Sequence, residues 1–506
     1  MASVKQSPGK AADVVVIGYG MAAVVAAITA HDLGAEVVIL EKQPQEGHYT
    51  TSSLSTAGFI RSNNPAETAR FLKLLDSKTS DIPWTNPEVA AVWAEYIADN
   101  KDWAEKMGGS VHMVATGGEY PDLPGAQSIE VWQYHGSGIR MMALLYEQVR
   151  RRGITVRYGT AARELLKNPA GAVVGVSAST AEGKREDIGA ARGVVLACGG
   201  FEFDEPLKMN YLRAYPAYFL GSPANTGDGV RMALAAGADL WHMNCCSARW
   251  VAKFPEYPWA FTLDLGGKGW TTRLLRDKPV PETAGYIVVD RRGMRFTSEN
   301  HRLHSLYYEL GVYDTQRLEF PRIPSFWIFD QRRMEGGPLA NTASGPAGPQ
   351  QLYRWSQDNR KELEQGWIVS GRTVRELADR AGIPGDSLEK TVTEYHRRCE
   401  QGHDPEFKRR PTDLIPLDRP PYYAMKLWPG GANTQGGPRR NQRAQIVNPA
   451  GDPIPRLYGA GELGSIYGML YPSGGCNLAE CIAFGRIAGE NVSREEPLPA
   501  RRRQPG

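Results

Sequence analysis

Gly18, Gly20 and Glu41 have the types and spacing needed to hold a dinucleotide. They stand in Asp13-Val-Val-Val-Ile-Gly18-Tyr-Gly20-Met-Ala-Ala23 and at the end of Val37-Val-Ile-Leu-Glu41. Gly20 has no side chain, so a pyrophosphate can approach backbone amides at a helix N-terminus, where the dipole favours negative charge. Glu41, about 20 residues beyond the glycines, can accept both ribose hydroxyls of an adenosine and disfavours a 2′-phosphate. A second segment lies near the other end: Leu457-Tyr-Gly-Ala-Gly461-Glu462, then Tyr471-Pro-Ser-Gly-Gly-Cys-Asn477. Together the two segments point to a flavoprotein.

The elements that position these residues follow from hydrophobic patterning. Val14 to Ile17 is a short apolar run of the kind buried in a parallel sheet, and Gly18 allows a sharp turn into a helix. Ala23 keeps that helix close to the sheet, and a second strand over 36–40 delivers Glu41. A lone Gly-x-Gly-x-x-Ala is a weak signal. Here the strand, helix, second strand and acid occur in order, which excludes an ordinary strand-helix turn. Further along, periodicity predicts helices over 87–106 and 138–151 and a strand over 154–158. Val194-Val-Leu-Ala197-Cys198-Gly199-Gly200 reads as another buried strand with a small-residue end. Between about 245 and 425 the texture turns aromatic-rich and Pro-interrupted, with strands expected over 286–290 and 326–329 and helices over 373–381 and 387–400. The expected layout is an N-terminal part over 12–244, an inserted domain over 245–425, a C-terminal part over 426–495, and tails over 1–11 and 496–506.

Composition bounds the function. The 506 residues are 42% hydrophobic, enough for a large core and more than one domain. A net charge of +3 from nearly balanced acids and bases gives no reason to expect nucleic acid or a strongly acidic partner. No signal-peptide-like start and no run of about 18 apolar residues is present, so a cytoplasmic protein without a membrane span is expected. The six cysteines, Cys198, Cys245, Cys246, Cys399, Cys476 and Cys481, show neither CxxC nor CxxCH spacing and are read as reduced thiols. No metal is expected.

Several motifs in order carry a family resemblance. The opening βαβ unit, the Ala197-Cys-Gly-Gly200 strand end, Asn225-Thr226-Gly-Asp228-Gly229, Asp290-Arg-Arg-Gly-Met-Arg295-Phe296 with Glu299, Gly402-His-Asp404-Pro-Glu-Phe407 and Gly459-Ala-Gly461-Glu462 together resemble the fumarate reductase and 3-ketosteroid dehydrogenase superfamily of FAD enzymes. The resemblance covers nearly the whole chain. It implies an α/β fold, with a discontinuous Rossmann-like FAD-binding domain and an inserted α+β substrate-capping domain. It also implies FAD contacts from Gly18, Gly20, Met21, Ala22, Ala23, Glu41, Lys42, Thr50, Thr51, Ser52, Gly58, Ala162, Ala197 and Gly199. From the later motifs it adds Asn225, Thr226, Asp228, Gly461, Glu462, Cys476, Asn477 and Leu478. Asp228 has a second reading as a helix N-cap. His48 occupies a place where these enzymes commonly have glycine, and is read as a polar loop residue, with a covalent histidyl flavin as the lesser alternative.

The substrate side is read from departures. Soluble fumarate reductases hold two carboxylates with a histidine before a Gly-Gly turn and an arginine in the C-terminal segment. This chain has Asn433-Thr-Gln-Gly436-Gly437 and Tyr471-Pro-Ser-Gly-Gly475 instead. The second resembles the Tyr-Pro-Gly-x-Gly of 3-ketosteroid 1,2-dehydrogenases, whose tyrosine hydroxyl and glycine amide polarise a ketone. Tyr471 and Gly475 have that spacing, with Ser473 replacing one glycine. Such a site supports hydride transfer to flavin beside a carbonyl whose polarisation acidifies the neighbouring carbon. For the proton, the inserted domain offers Arg302 and Tyr307, with Arg295, His304 and Tyr308 nearby; Arg295 also reads as an ion-pair partner of Glu299. His135 is read as a packing or capping residue. Trp250, Trp259, Phe261 and Trp270 would suit an apolar pocket.

The expectation is an FAD-dependent oxidoreductase that desaturates or reduces a carbon-carbon bond next to a carbonyl on an apolar small-molecule substrate, steroid-like or a cyclic ketone. An external electron acceptor or donor closes the cycle, since no second dinucleotide fingerprint appears. The alternatives are a fumarate- or urocanate-type reductase, or a non-catalytic electron-transfer flavoprotein.

Overall fold

The computed structural model describes residues 9–265, 285–299 and 303–498. Arg302 and Trp270 lie outside the described residues. The chain divides into two units, one of residues 1–207, 222–246 and 433–506, the other of residues 208–221 and 247–432. Residues 208–221 thus join the second unit, not the N-terminal part expected for them. One reason is local: the Ala214 N–H donates to the Tyr307 hydroxyl at 3.1 Å, and the Leu220 N–H donates to Gly431 O.

The first unit is built on a parallel sheet. Its strands run in the order Gln445–Val447, Pro453–Gly459, Arg185–Leu196, Gly9–Ile17, Val37–Leu40, Thr155–Arg157, and the hairpin Ala161–Lys167 with Val173–Ser179 joins on the Arg185–Leu196 strand. From Pro453–Gly459 to Thr155–Arg157 all neighbours are parallel. Val14, Val15, Val16, Val194 and Val195 are wholly buried, as central strands covered on both faces must be. Helix Met21–Asp32 is apolar on nearly every side, so it too must be enclosed. It packs on the last helix, Cys476–Ser493, through Gly485 and Gly489. A Cβ there would stand 2.8 Å from Val25 Cβ and 2.7 Å from Ala26 O, so these two glycines set the close approach.

The helix expected over 87–106 is two helices, Pro87–Ala98 and Asn100–Lys106. The break has a tertiary cause: the buried Asn100 amide donates to Ile60 O and Ala479 O, which pulls the second helix inward.

The second unit is a mixed sheet. Its strand order is Ala260–Thr262, Cys246–Lys253, Tyr422–Thr434, Ser325–Asp330, Tyr286–Val289, with Tyr218–Phe219 and Val369–Gly371 also on the long Tyr422–Thr434 strand. Alternation divides its residues between two cores. Tyr286, Val288, Trp327, Phe329 and Tyr423 meet an aromatic cluster containing Trp250, Phe254, Phe261, Trp355 and Trp367. Ile287, Val289, Phe326 and Ile328 meet Leu377, Leu388, Val392 and Tyr395 from helices Val374–Ala381 and Gly385–Gln401. Trp250, Trp259 and Phe261 therefore belong to the packing of this unit, which corrects their reading as pocket walls.

Candidate cofactor cleft and active-site residues

The turn after the first strand is sterically forced. Gly18 has φ +101°, and a Cβ on it would lie 2.5 Å from Ala197 O. Gly20 differs: a Cβ there would find only Ser52 Oγ, at 3.8 Å. Packing therefore leaves Gly20 free, and the open space lies over the N-terminus of helix Met21–Asp32, whose cap supplies no side-chain bond. The Met21 N–H donates to Ser52 Oγ at 3.3 Å. An anion fits here for the reasons that hold at any uncapped helix start.

Around this point runs a cleft lined by Gly18, Gly20, Met21, Ala22, Glu41, Lys42, Thr50, Thr51, Ser52, Ala162, Ala197, Gly199, Asn225, Asp228 and Glu462. Lys42 Nζ bridges Thr226 Oγ1 at 2.7 Å and Asp228 Oδ2 at 2.6 Å. Thr51 Oγ1 accepts from the Ser222 N–H and from Asn225 Nδ2. The helix Asp228–Ala235 is capped by Gly227, so the N-cap reading of Asp228 is corrected: it is the first helical residue and the partner of Lys42. Ala23, Thr226, Gly58, Gly461, Cys476, Asn477 and Leu478 are not part of the lining. Ala23 packs inside its helix, Gly58 opens the strand Gly58–Ser62, and a Cβ on Gly461 would press on Ala22 Cβ at 2.6 Å. The cleft also takes Tyr19, Cys198 and Cys481, which the motifs did not single out.

Glu41 is buried, and its Oε1 accepts the Gln43 N–H at 2.8 Å. His48 Nε2 lies 3.7 Å from Glu41 Oε2, and its ring is boxed by Tyr19, Tyr146 and Tyr158. His48 thus stands beside Glu41, the acid that the sequence motif offers to a ribose.

The other end is set by the start of helix Cys476–Ser493. Gly475 caps it with φ +95°, and a Cβ would lie 2.9 Å from Phe59 N and Cα. Tyr471 is buried, and its hydroxyl accepts the Asn477 N–H at 2.7 Å. Burial pushes the Tyr471 phenol well above its ordinary value, with Cys476 and Glu119 adding to the rise, so it stays protonated and able to donate. Beneath it the Glu119 N–H donates to Pro472 O at 3.0 Å. Asn477 Nδ2 donates to Asn433 Oδ1 at 2.6 Å, and Asn433 Nδ2 to Glu462 Oε2 at 2.7 Å. A buried amide chain thus joins the Tyr471 turn to the Glu462 turn.

Within the second unit Tyr307 is wholly buried and its hydroxyl takes the Ala214 N–H, which makes it a packing anchor. Arg295 forks onto Glu299 at 2.9 and 2.7 Å and reaches Asp404 at 2.9 Å. The Arg213 guanidinium lies over the Tyr308 ring. In the first unit His135 is exposed and stacks on His112.

Comparison with known proteins places the chain in a family. The family described as "FAD binding domain" matches residues 13–478, and the chain belongs to it. FAD is its cofactor. The 3-oxosteroid 1-dehydrogenase of Mycobacterium tuberculosis (strain ATCC 25618 / H37Rv) is 30% identical over 384 residues, covering 71% of this chain and 63% of that protein. The chain thus spans less than two thirds of that relative's length. A probable fumarate reductase of Shewanella frigidimarina is 27% identical over 510 residues, covering 97% of this chain and 76% of that protein. Among solved structures, 3-ketosteroid delta1-dehydrogenase from Sterolibacterium denitrificans, in complex with 1,4-androstadiene-3,17-dione, superposes with a TM-score of 0.79 at 21% identity. That match covers 96% of this chain and 99% of that one. Among the described residues no helix is long and apolar enough to cross a membrane.

Proposed function

We propose that the protein is an FAD-dependent oxidoreductase that desaturates a carbon-carbon bond next to a ketone on an apolar, steroid-like or cyclic substrate. The observation that carries this is Tyr471: a buried, protonated phenol held at a helix N-terminus four residues before Gly475. Bound FAD supplies the hydride acceptor. In this reading Tyr471 donates a hydrogen bond to the ketone oxygen as negative charge develops there, and the Gly475 amide is its partner donor. The Asn477 amide, by donating to the Tyr471 oxygen, orients the phenol proton away from the helix. The Asn433-Thr-Gln-Gly436-Gly437 segment stands where a dicarboxylate reductase has its histidine and Tyr471-Pro-Ser-Gly-Gly475 lies in the segment that carries its arginine, and neither segment holds a cation. Gly18, Gly20 and Ser52 hold the pyrophosphate end and Glu41 the ribose. Arg302 is proposed for proton transfer by resemblance alone. An external electron acceptor or oxygen completes the cycle, and six free cysteines support a cytoplasmic location.

The test is anaerobic titration of the FAD-loaded protein with 3-ketosteroids, cyclic ketones and saturated dicarboxylates, following loss of flavin colour. Bleaching by ketones alone is the expected result. Bleaching by succinate, or reoxidation of reduced protein by fumarate alone, would replace this reading with the dicarboxylate one.

A further inference from the structure

Two buried carboxylates flank Gly200 at the cleft. A Cβ placed on Gly200 would stand 2.8 Å from Glu202 Oε1 and 2.7 Å from Glu462 Oε1, and would collide with the Thr434 hydroxyl. Glu202 is wholly buried, and its Oε1 accepts the Thr434 N–H at 2.7 Å and the Thr434 hydroxyl at 2.8 Å. Glu462 lines the cleft, and its Oε2 accepts from Asn433. Glu202 Oε2 and Glu462 Oε1 have no hydrogen-bond partner among the described residues.

Neither carboxylate has an ion-pair partner there either. The cations around the same space are committed: Lys42 to Asp228 on the cleft wall, Arg440 to Glu480 behind Gly461, Arg231 to Asp204 at the outer edge. On the cleft wall the Cys198 thiol is pushed up by burial, with Asp228 adding to the rise. Burial also raises the Glu202 carboxyl above the ordinary range. Two neighbouring carboxylates shielded from water repel each other, and that repulsion opposes ionisation of both.

We propose that Glu202 and Glu462 share one proton, and that the pair takes up a second when two electrons enter the cofactor in the adjoining cleft. The inference rests on the FAD-dependent redox reading above. A hydride carries two electrons and one added negative charge into the cleft. Solvent supplies a proton, an O–H bond forms on the carboxylate that had remained ionised, and no protein group is oxidised or reduced. Repulsion between the new charge and a carboxylate at close range, in a site of low polarity, is what raises the proton affinity of the pair. Glu202 lies outside the cleft lining, so it is a positioning residue that acts through Glu462.

The test is the midpoint potential of the FAD-loaded protein measured across the neutral pH range. Glu202→Gln is expected to keep its FAD and yellow colour and to take up one proton fewer per two electrons than the unsubstituted protein, seen as a shallower pH slope. An unchanged slope overturns the proposal. If Glu202→Gln does not fold, redox-difference infrared spectra of the unsubstituted protein decide: a protonated-carboxyl band that grows on reduction and shifts in deuterium oxide supports the pair, and its absence overturns it. Protein that neither carries nor takes up FAD fails at loading, before any potential is read, and overturns both this proposal and the reading beneath it.

Discussion

In the second unit Arg295, Glu299, Asp404 and Arg409 are buried as two cations against two carboxylates, whereas in the first unit Glu202 and Glu462 are buried with no cation. In the first arrangement each carboxylate has a cation, and the one open atom, Arg409 Nε, is a donor. Glu299 also accepts the Val288 N–H, the Arg295 guanidinium lies over the Phe407 ring, and that of Arg409 over Tyr286. The second leaves an acceptor oxygen open on each side chain, beside the cleft proposed to hold FAD. Charge-paired clusters join strands and loops; unpaired ones keep capacity for a proton or a ligand.

Four substitutions test this contrast, in order of expected effect. Arg295→Leu strands Glu299 and Asp404 without their main partner, and should cost about 3–5 kcal/mol of stability in chemical denaturation. A cost under about 1 kcal/mol would mean that the cluster is not structural. Tyr471→Phe keeps the ring and removes one donor. It should slow anaerobic flavin reduction by a ketone about 100-fold to 1,000-fold while FAD binding holds, and an unchanged rate would remove Tyr471 from the chemistry.

Glu41→Ala should weaken FAD retention by roughly 1.5–3 kcal/mol, the worth of a charged hydrogen bond, as read by fluorescence of released flavin. Unaltered retention would show that the ribose is held elsewhere. The smallest effect belongs to Glu202→Gln and depends on pH. The folded protein holds the Glu202 proton above the ordinary carboxylate range, so over that interval the native state binds more protons and stability falls as pH rises. Glutamine removes this term. The variant should gain on the order of 1 kcal/mol over the unsubstituted protein at mildly alkaline pH relative to mildly acid pH, and thermal melts at both would show it. A parallel pH dependence in the two proteins would mean that Glu202 is ionised throughout.

The chain order of small residues and acids was enough to locate the cofactor turn. Gly18 is forced by a positive φ and by Ala197 O, and such a demand leaves a glycine in the sequence that can be read directly. Glu41 was legible because one strand and one helix of ordinary length set its distance from Gly20. Two strands of the second unit, Tyr286–Val289 and Ser325–Asp330, were legible as apolar runs, but the long strand Tyr422–Thr434 and the purpose of the aromatics were not. Trp250 and Phe261 read as pocket aromatics, and only packing against Trp355 and Trp367 shows them to be core.

What the sequence determined by itself was therefore local: the βαβ unit, its glycines, its ribose acid, and the membership those motifs imply. Tertiary structure alone decided that Asp228 pairs with Lys42, that His48 faces Glu41, and that Asn100 breaks a helix. It also brought Glu202, Thr434 and Glu462 to one glycine across more than 200 residues of chain. The physical reason is that a glycine turn or an apolar period is enforced within a few residues. A buried polar group is satisfied by whatever the fold carries to it, from any distance along the chain.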